Sequence, residues 1–194
     1  MPKLKLQNVR LAFPALFKPQ GFNDGTPAYG AKLIIDPANK KMVAAIDAAI
    51  KQAAYDQPKW KGKEDKILAK LIKDDVVCFH KSEYTDKNGD PWSGFEDMFF
   101  ISCRSEKLKP LVIDRDKSPL VESDGRPYAG CYVNVSLDIY AQDNAYGLRI
   151  NCNLSGVQFY RDGDAFGGGT PASADEFEDL SDGVDDDDLE NDLA

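Results

Sequence analysis

The sequence predicts a mainly β fold, an antiparallel barrel or sandwich with an α-helical insertion and an acidic C-terminal tail that stays disordered. Three observations predict it. Residues 131–140 alternate without a break, Cys131, Val133, Val135, Leu137 and Ile139 on one side, Tyr132, Asn134, Ser136, Asp138 and Tyr140 on the other. That is the period-2 pattern of a strand with one wet face. Helical spacing is confined to about residues 39–73, so the repeated strand–helix alternation of a parallel sheet is missing. From Asp164 to Ala194, acidic residues stand at 164, 175, 176, 178, 179, 182, 185, 186, 187, 188, 190 and 192, with no Lys or Arg among them. Acidic, Gly- and Ser-bearing segments with few aromatics cannot bury enough surface to fold.

The elements follow in order. Leu4 and Leu6 oppose Lys3, Lys5 and Gln7 in a first strand running to about Phe13, after which Pro14, Pro19 and residues 21–27 read as a loop. Gly30-Ala31-Lys32 is no phosphate loop, because that motif places Lys directly after Gly and then Ser or Thr. Tyr29 to Ile35 is a second strand. Lys40 to Tyr55 sets Met42, Ile46, Ala49, Ile50 and Ala53 at helical spacing, and a second helix spans Glu64 to Lys73. Between them, Trp60 sits between Lys59 and Lys61. Val76 to His80 is a short strand, and Asn88-Gly89 is a hairpin signal. Residues 98–104 alternate, with Phe100, Ser102 and Arg104 on the polar side. Residues 110–127 read as loop. After a turn at Gln142-Asp143-Asn144, Leu148 to Leu154 alternates again, Gly156 bends the chain, and Val157 to Arg161 is the last strand.

Charge is partitioned along the chain. Its 194 residues carry a net −9, and removing the −12 of residues 164–194 leaves +3 on residues 1–163. The expected organisation is therefore a mildly basic domain over 1–163 and a flexible polyanion over 164–194. Cys78, Cys103, Cys131 and Cys152 form no CxxC pair and lie among apolar residues, which suits reduced core thiols. Cys78 and His80 lack the spacing of a zinc site, so no metal or other cofactor is expected. His80 is the one histidine and no nucleophile motif accompanies it, so the chain is expected not to be an enzyme. Asp74-Asp75 and Asp114-x-Asp116 fall in turns where Asp is ordinary, which argues against a metal nuclease. No apolar run approaches the ~18 residues of a membrane span.

Aromatic rings beside cations on a wet sheet face are what single-stranded nucleic acid requires, since bases stack on rings while Arg and Lys meet the phosphates. The candidates are Lys3, Lys5, Lys32, Trp60, Trp92, Phe100, Arg104, Tyr132, Tyr140 and Arg149. A competing reading is a non-catalytic interaction module, a recombination mediator or inhibitor, that acts mainly through the tail.

Tyr128-Ala129-Gly130-Cys131-Tyr132-Val133-Asn134, Tyr140-x-x-Asp143-Asn144, Leu154-x-x-Val157-Gln158, Arg161-Asp162-Gly163-Asp164 and Gly167-Gly168-Gly169 resemble a family of phage single-stranded-DNA-binding proteins. Phe100-Ile101 and Tyr29-x-x-x-Leu33-Ile34 extend the resemblance more loosely. It implies an OB-fold-like barrel that coats single-stranded DNA in the host cytoplasm during phage DNA replication or recombination, and an acidic tail that meets replication or recombination proteins. Within that tail Asp185, Asp186, Asp187 and Asp188 supply charge, and Leu189 and Leu193 are apolar anchors in place of the terminal aromatic common in such proteins. A homodimer is compatible with this reading.

Overall fold

The computed structural model describes residues 3–21 and 25–167. β1 spans Lys3–Gln20 and β2 Ala28–Ile35; α1 (Lys40–Tyr55) and α2 (Glu64–Lys73) follow. The remaining strands are β3 (Phe79–His80), β4 (Phe99–Ser105), β5 (Leu111–Ile113), β6 (Tyr132–Asn144) and β7 (Gly147–Arg161). They form one sheet in the order β3-β4-β2-β1-β6-β7-β5. The sheet closes through the residues just before β3. There the Cys78 amide donates to the Ile150 carbonyl at 2.8 Å and the Ser102 amide to the Cys78 carbonyl at 2.8 Å, tying β7 to β4. The five long strands thus run β1-β2-β4-β7-β6 around a closed barrel, and the barrel rather than the sandwich is realised.

The barrel interior collects the apolar side of each strand. Leu11, Leu33, Ile35, Ile101, Val133, Leu137 and Ile139 are wholly enclosed. α1 adds Ile46, Ile50, Ala53 and Ala54 to the same core, so the helical insertion plugs the barrel instead of forming a separate unit. Asn39 caps α1 by accepting from the Met42 amide at 3.1 Å. All four cysteines are buried.

Several boundaries differ from the sequence expectation, among them the strand expected over Val76 to His80, which is confined to Phe79–His80. β1 continues to Gln20 through Pro14 and Pro19, because register shifts between Leu6 and Val9 and between Ala12 and Ala15 bend it around the barrel. Asn8 (φ 53°) and Phe13 (φ 48°) lie at those shifts in the left-handed region. β5 occupies part of the expected loop, pairing in parallel with Gly156–Gln158; three residues are too few to display alternation. Gly156 does not end a strand. It pairs with Ser136 beside a bulge, so β7 runs unbroken from Gly147 to Arg161 and β6 extends to Asn144.

Outside the barrel, the chain between β3 and β4, residues 81–98, folds back over β1, β2 and β4 as a flap. It is braced by hydrogen bonds from the Trp92 amide to the Tyr84 carbonyl (2.9 Å) and from the Asp97 amide to Glu83 (2.5 Å). Beneath it a second apolar cluster forms from Ala12, Ile34, Phe95 and Phe100 with Phe13, Tyr84, Met98 and Phe166.

Candidate nucleic-acid interface

Oligonucleotides bind OB barrels across the second and third barrel strands, between the loops that join strands one to two and four to five. Here those strands are β2 and β4, and the connections are those from β1 to β2 and from β6 to β7. Two adjoining clefts lie along this path. The first, about 330 Å³, is lined by Phe13, Tyr29, Lys32, Tyr84, Ser102 and Arg104 among others. The second, about 840 Å³, runs from Thr26 and Arg104 past Lys107 to Tyr140, Tyr146, Arg149 and Asn151. Arg104 belongs to both, so the two form one track from the flap to the β6–β7 hairpin.

Lys32 sits at the floor of the first cleft. Its β2 position pairs with Ser102 of β4, and its ammonium donates to Ser102 Oγ at 2.9 Å. The same ammonium lies 4.1 Å from the centre of the Tyr84 ring and 4.9 Å from that of Phe100. Among the described residues no carboxylate forms an ion pair with it. Burial therefore lowers its pKa below the 10.5 of a free lysine. Ring faces and a hydroxyl hold the cation without neutralising it, which leaves it available to an anion that enters the cleft. Arg104 is held by the Thr26 carbonyl at 2.5 Å and loosely by Glu106 at 3.4 Å. In the second cleft, burial raises the pKa of Tyr140, and Tyr146 at the hairpin tip is 88% exposed.

Of the residues singled out from sequence, the fold brings Lys32, Arg104, Tyr140 and Arg149 onto this track. Phe100 faces outward as the alternation requires, but the flap covers it. It is 5% exposed, stacked on His80 at 4.5 Å and edge-on to Tyr84 at 5.2 Å. Trp92, 45% exposed, stands on the flap with its ring 5.4 Å from Phe13. Tyr132 faces outward beside β1, and Arg161 lies 3.5 Å over its ring, occupying that face. Lys3 and Lys5 pair with Asp138 and Ser136 on the far half of β1, and Lys5 lines a different groove between β1, β6 and β7. Trp60 is 1% exposed; a tight turn at Pro58–Trp60 tucks the indole against the barrel, where its Nε1 donates to Asp143 at 2.8 Å. A ring so enclosed offers no face to a base. Asp185, Asp186, Asp187, Asp188, Leu189 and Leu193 lie outside the described residues.

The track also contains Phe13, Tyr29, Tyr84, Lys107 and Tyr146, which the sequence did not single out. Counting by twos from Leu11 puts Phe13 inside. The bulge at φ 48° turns it out toward Tyr84 and Trp92. A turn-forming Asn88-Gly89 within an aromatic-rich stretch was the one local sign that a flap carries Tyr84.

A closed five-strand barrel with an aromatic, cationic track over its second and third strands is a nucleic-acid-binding barrel of the OB class. Comparison with known proteins gives the same answer at finer grain. A family model described as the single-stranded-DNA-binding protein of Enterobacter phage Enc34 matches residues 2–190. Putative protein p50 of Acyrthosiphon pisum secondary endosymbiont phage 1 is 42% identical over 182 residues, 92% of this chain and 94% of that one. Among solved structures, the Enc34 single-stranded-DNA-binding protein in complex with ssDNA superposes with a TM-score of 0.71 at 25% identity, over 85% of this chain and 89% of that chain. The gp2.5 single-stranded-DNA-binding protein of bacteriophage T7 shares the fold, with a TM-score of 0.50 at 15% identity over 92% of this chain and 98% of that chain. The chain belongs to the Enc34 family of phage single-stranded-DNA-binding proteins.

Proposed function

We propose that this protein binds single-stranded DNA, largely without regard to sequence, along the track from Lys32 to Arg149. The observation that carries the reading is Lys32: a mostly buried ammonium, flanked by two rings and paired with no carboxylate among the described residues, on the floor of a cleft. A backbone phosphate is the anion that suits it. Bases then stack on the rings of Tyr84 and Phe13 in the first cleft and Tyr140 and Tyr146 in the second, each worth about 1–3 kcal/mol. Arg104, Lys107 and Arg149 meet further phosphates. Nothing in this binding makes or breaks a covalent bond.

Residues 1–163 form the binding unit in this reading, and the acidic tail has two uses. Its carboxylates compete with DNA phosphates for the basic track. When DNA displaces it, Asp185–Asp188 with Leu189 and Leu193 become available to replication or recombination proteins of the phage or its host.

Titration of a labelled oligothymidine followed by fluorescence anisotropy tests the reading. Lys32→Met, which keeps the length and apolar stem but removes the charge, should weaken binding by about 1.5–3 kcal/mol, or about 10- to 150-fold. Wild-type affinity in Lys32→Met would remove the cleft from the path of the strand.

A further inference from the structure

We propose that Phe166 is a positioning residue for the DNA track: it clasps the flap to the barrel and so holds Tyr84 over Lys32. This rests on the reading of the cleft given above. Phe166 does not line either cleft and would not touch DNA bound there.

After β7 the chain does not leave the barrel. Residues 162–166 return across the outer face of β1 and β6, and several contacts hold them there. Tyr128 donates its hydroxyl to Asp162 at 2.8 Å, the Phe166 amide donates to the Ala129 carbonyl at 3.0 Å, and Arg10 donates to the Asp164 carbonyl at 2.9 Å. The guanidinium of Arg10 also lies 4.2 Å from the centre of the Phe166 ring. Two glycines make the berth. A Cβ on Gly130 would sit 2.1 Å from the Asp164 carbonyl oxygen, and one on Gly94 would sit 2.4 Å from the Phe166 ring. Gly94 belongs to the flap, so the ring wedges between the flap's edge and Arg10 of β1.

The flap carries this contact to the cleft. Gly94 is followed by Phe95, which is buried against Phe13, Phe100 and Tyr84, with the Tyr84 ring 5.4 Å away. The Phe95 amide donates to the Trp92 carbonyl and the Trp92 amide to the Tyr84 carbonyl, both at 2.9 Å. The loop is thus cross-braced from its clasped edge to the ring that covers Lys32, and loosening one end frees the other. The acidic segment continues directly from this clasp in sequence.

The test has two arms in the full-length chain. Hydrogen exchange without DNA should show faster exchange across residues 81–98 in Phe166→Ala and in Arg10→Met, with Phe166→Tyr restoring protection. Oligothymidine binding by Phe166→Ala should weaken about fivefold in the wild-type background and not at all in a Tyr84→Ala background, because the clasp acts through that ring. Unchanged flap exchange in both Phe166→Ala and Arg10→Met, or additive losses in the double variant, would overturn the proposal. A wild-type chain that fails to bind DNA would instead overturn the reading of the cleft, leaving the exchange arm to decide the clasp.

Discussion

Lys32 is where burial and charge conflict most directly. Desolvation lowers its pKa below 10.5, and a phosphate that takes the place of the lost water raises it again. If DNA enters this cleft as proposed, binding takes up a proton as pH approaches the lysine's lowered value, and affinity should fall as pH rises toward 10.5 from below. In Lys32→Arg the charge persists, so the decline should flatten. Tyr84 and Cys103, the groups beside it, are the same in both proteins, so the comparison isolates the lysine. Anisotropy titrations at stepped pH for the two proteins check this; parallel declines would assign the proton to another group. Lys32 was legible because alternation in β2 puts it opposite Ala31 and Leu33, on the wet face. Phe100 was legible only as to its face: Ile101 points in and Phe100 out, but no local pattern announces that residues 81–98 will cover it. Phe13 was hidden for the opposite reason, since a single left-handed residue reverses the parity of everything counted through it.

Strands with unbroken alternation, β6 and most of β7, were readable from sequence because each position has one choice of face. The helices were readable from their 3.6-residue spacing, and both occur at the expected limits, Lys40–Tyr55 and Glu64–Lys73. Trp60 was not, because its role depends on a residue far away in sequence. Its indole donates to Asp143 at 2.8 Å while Lys59 donates to the Asp143 carbonyl at 2.9 Å and Gln57 to the Ala141 carbonyl at 3.1 Å. These three bonds pin the end of β6 to the helical insertion and aim the β6–β7 hairpin, which carries Tyr146 and Arg149 into the second cleft. Trp60→Phe keeps most of the buried volume and removes the donor. It should cost about 1.5–3 kcal/mol in urea unfolding, the range for a lost bond to a charged group. Its effect on DNA should depend on length. Oligonucleotides that fill only the first cleft should bind as before, and longer ones should bind a few-fold more weakly. Equal losses at every length would mean that the hairpin does not extend the track.

Averaged over the chain, a net charge of −9 points away from a polyanionic ligand, yet the +3 of residues 1–163 and the cations of the track point toward one. The two statements are reconciled by where the charge lies, since the carboxylates after Gly167 are outside the barrel's sequence. If Lys32, Arg104, Lys107 and Arg149 each meet a phosphate, the logarithm of affinity should fall with the logarithm of salt with a slope of about −3, at about −0.7 per contact for a single strand. If the segment from Gly168 onward competes for the track as proposed, it adds a second salt dependence of opposite sign, because screening weakens its competition along with the binding it opposes. Deleting residues 168–194 keeps Phe166 and removes the proposed competitor. Affinity should rise on the order of tenfold at low salt, the lower end of what a surface field does to association. The gain should shrink toward nothing as salt increases, so that the truncated chain shows the steeper slope. A gain that persists undiminished at high salt would assign the segment's effect to something other than charge, and no gain at any salt would mean that it does not reach the track.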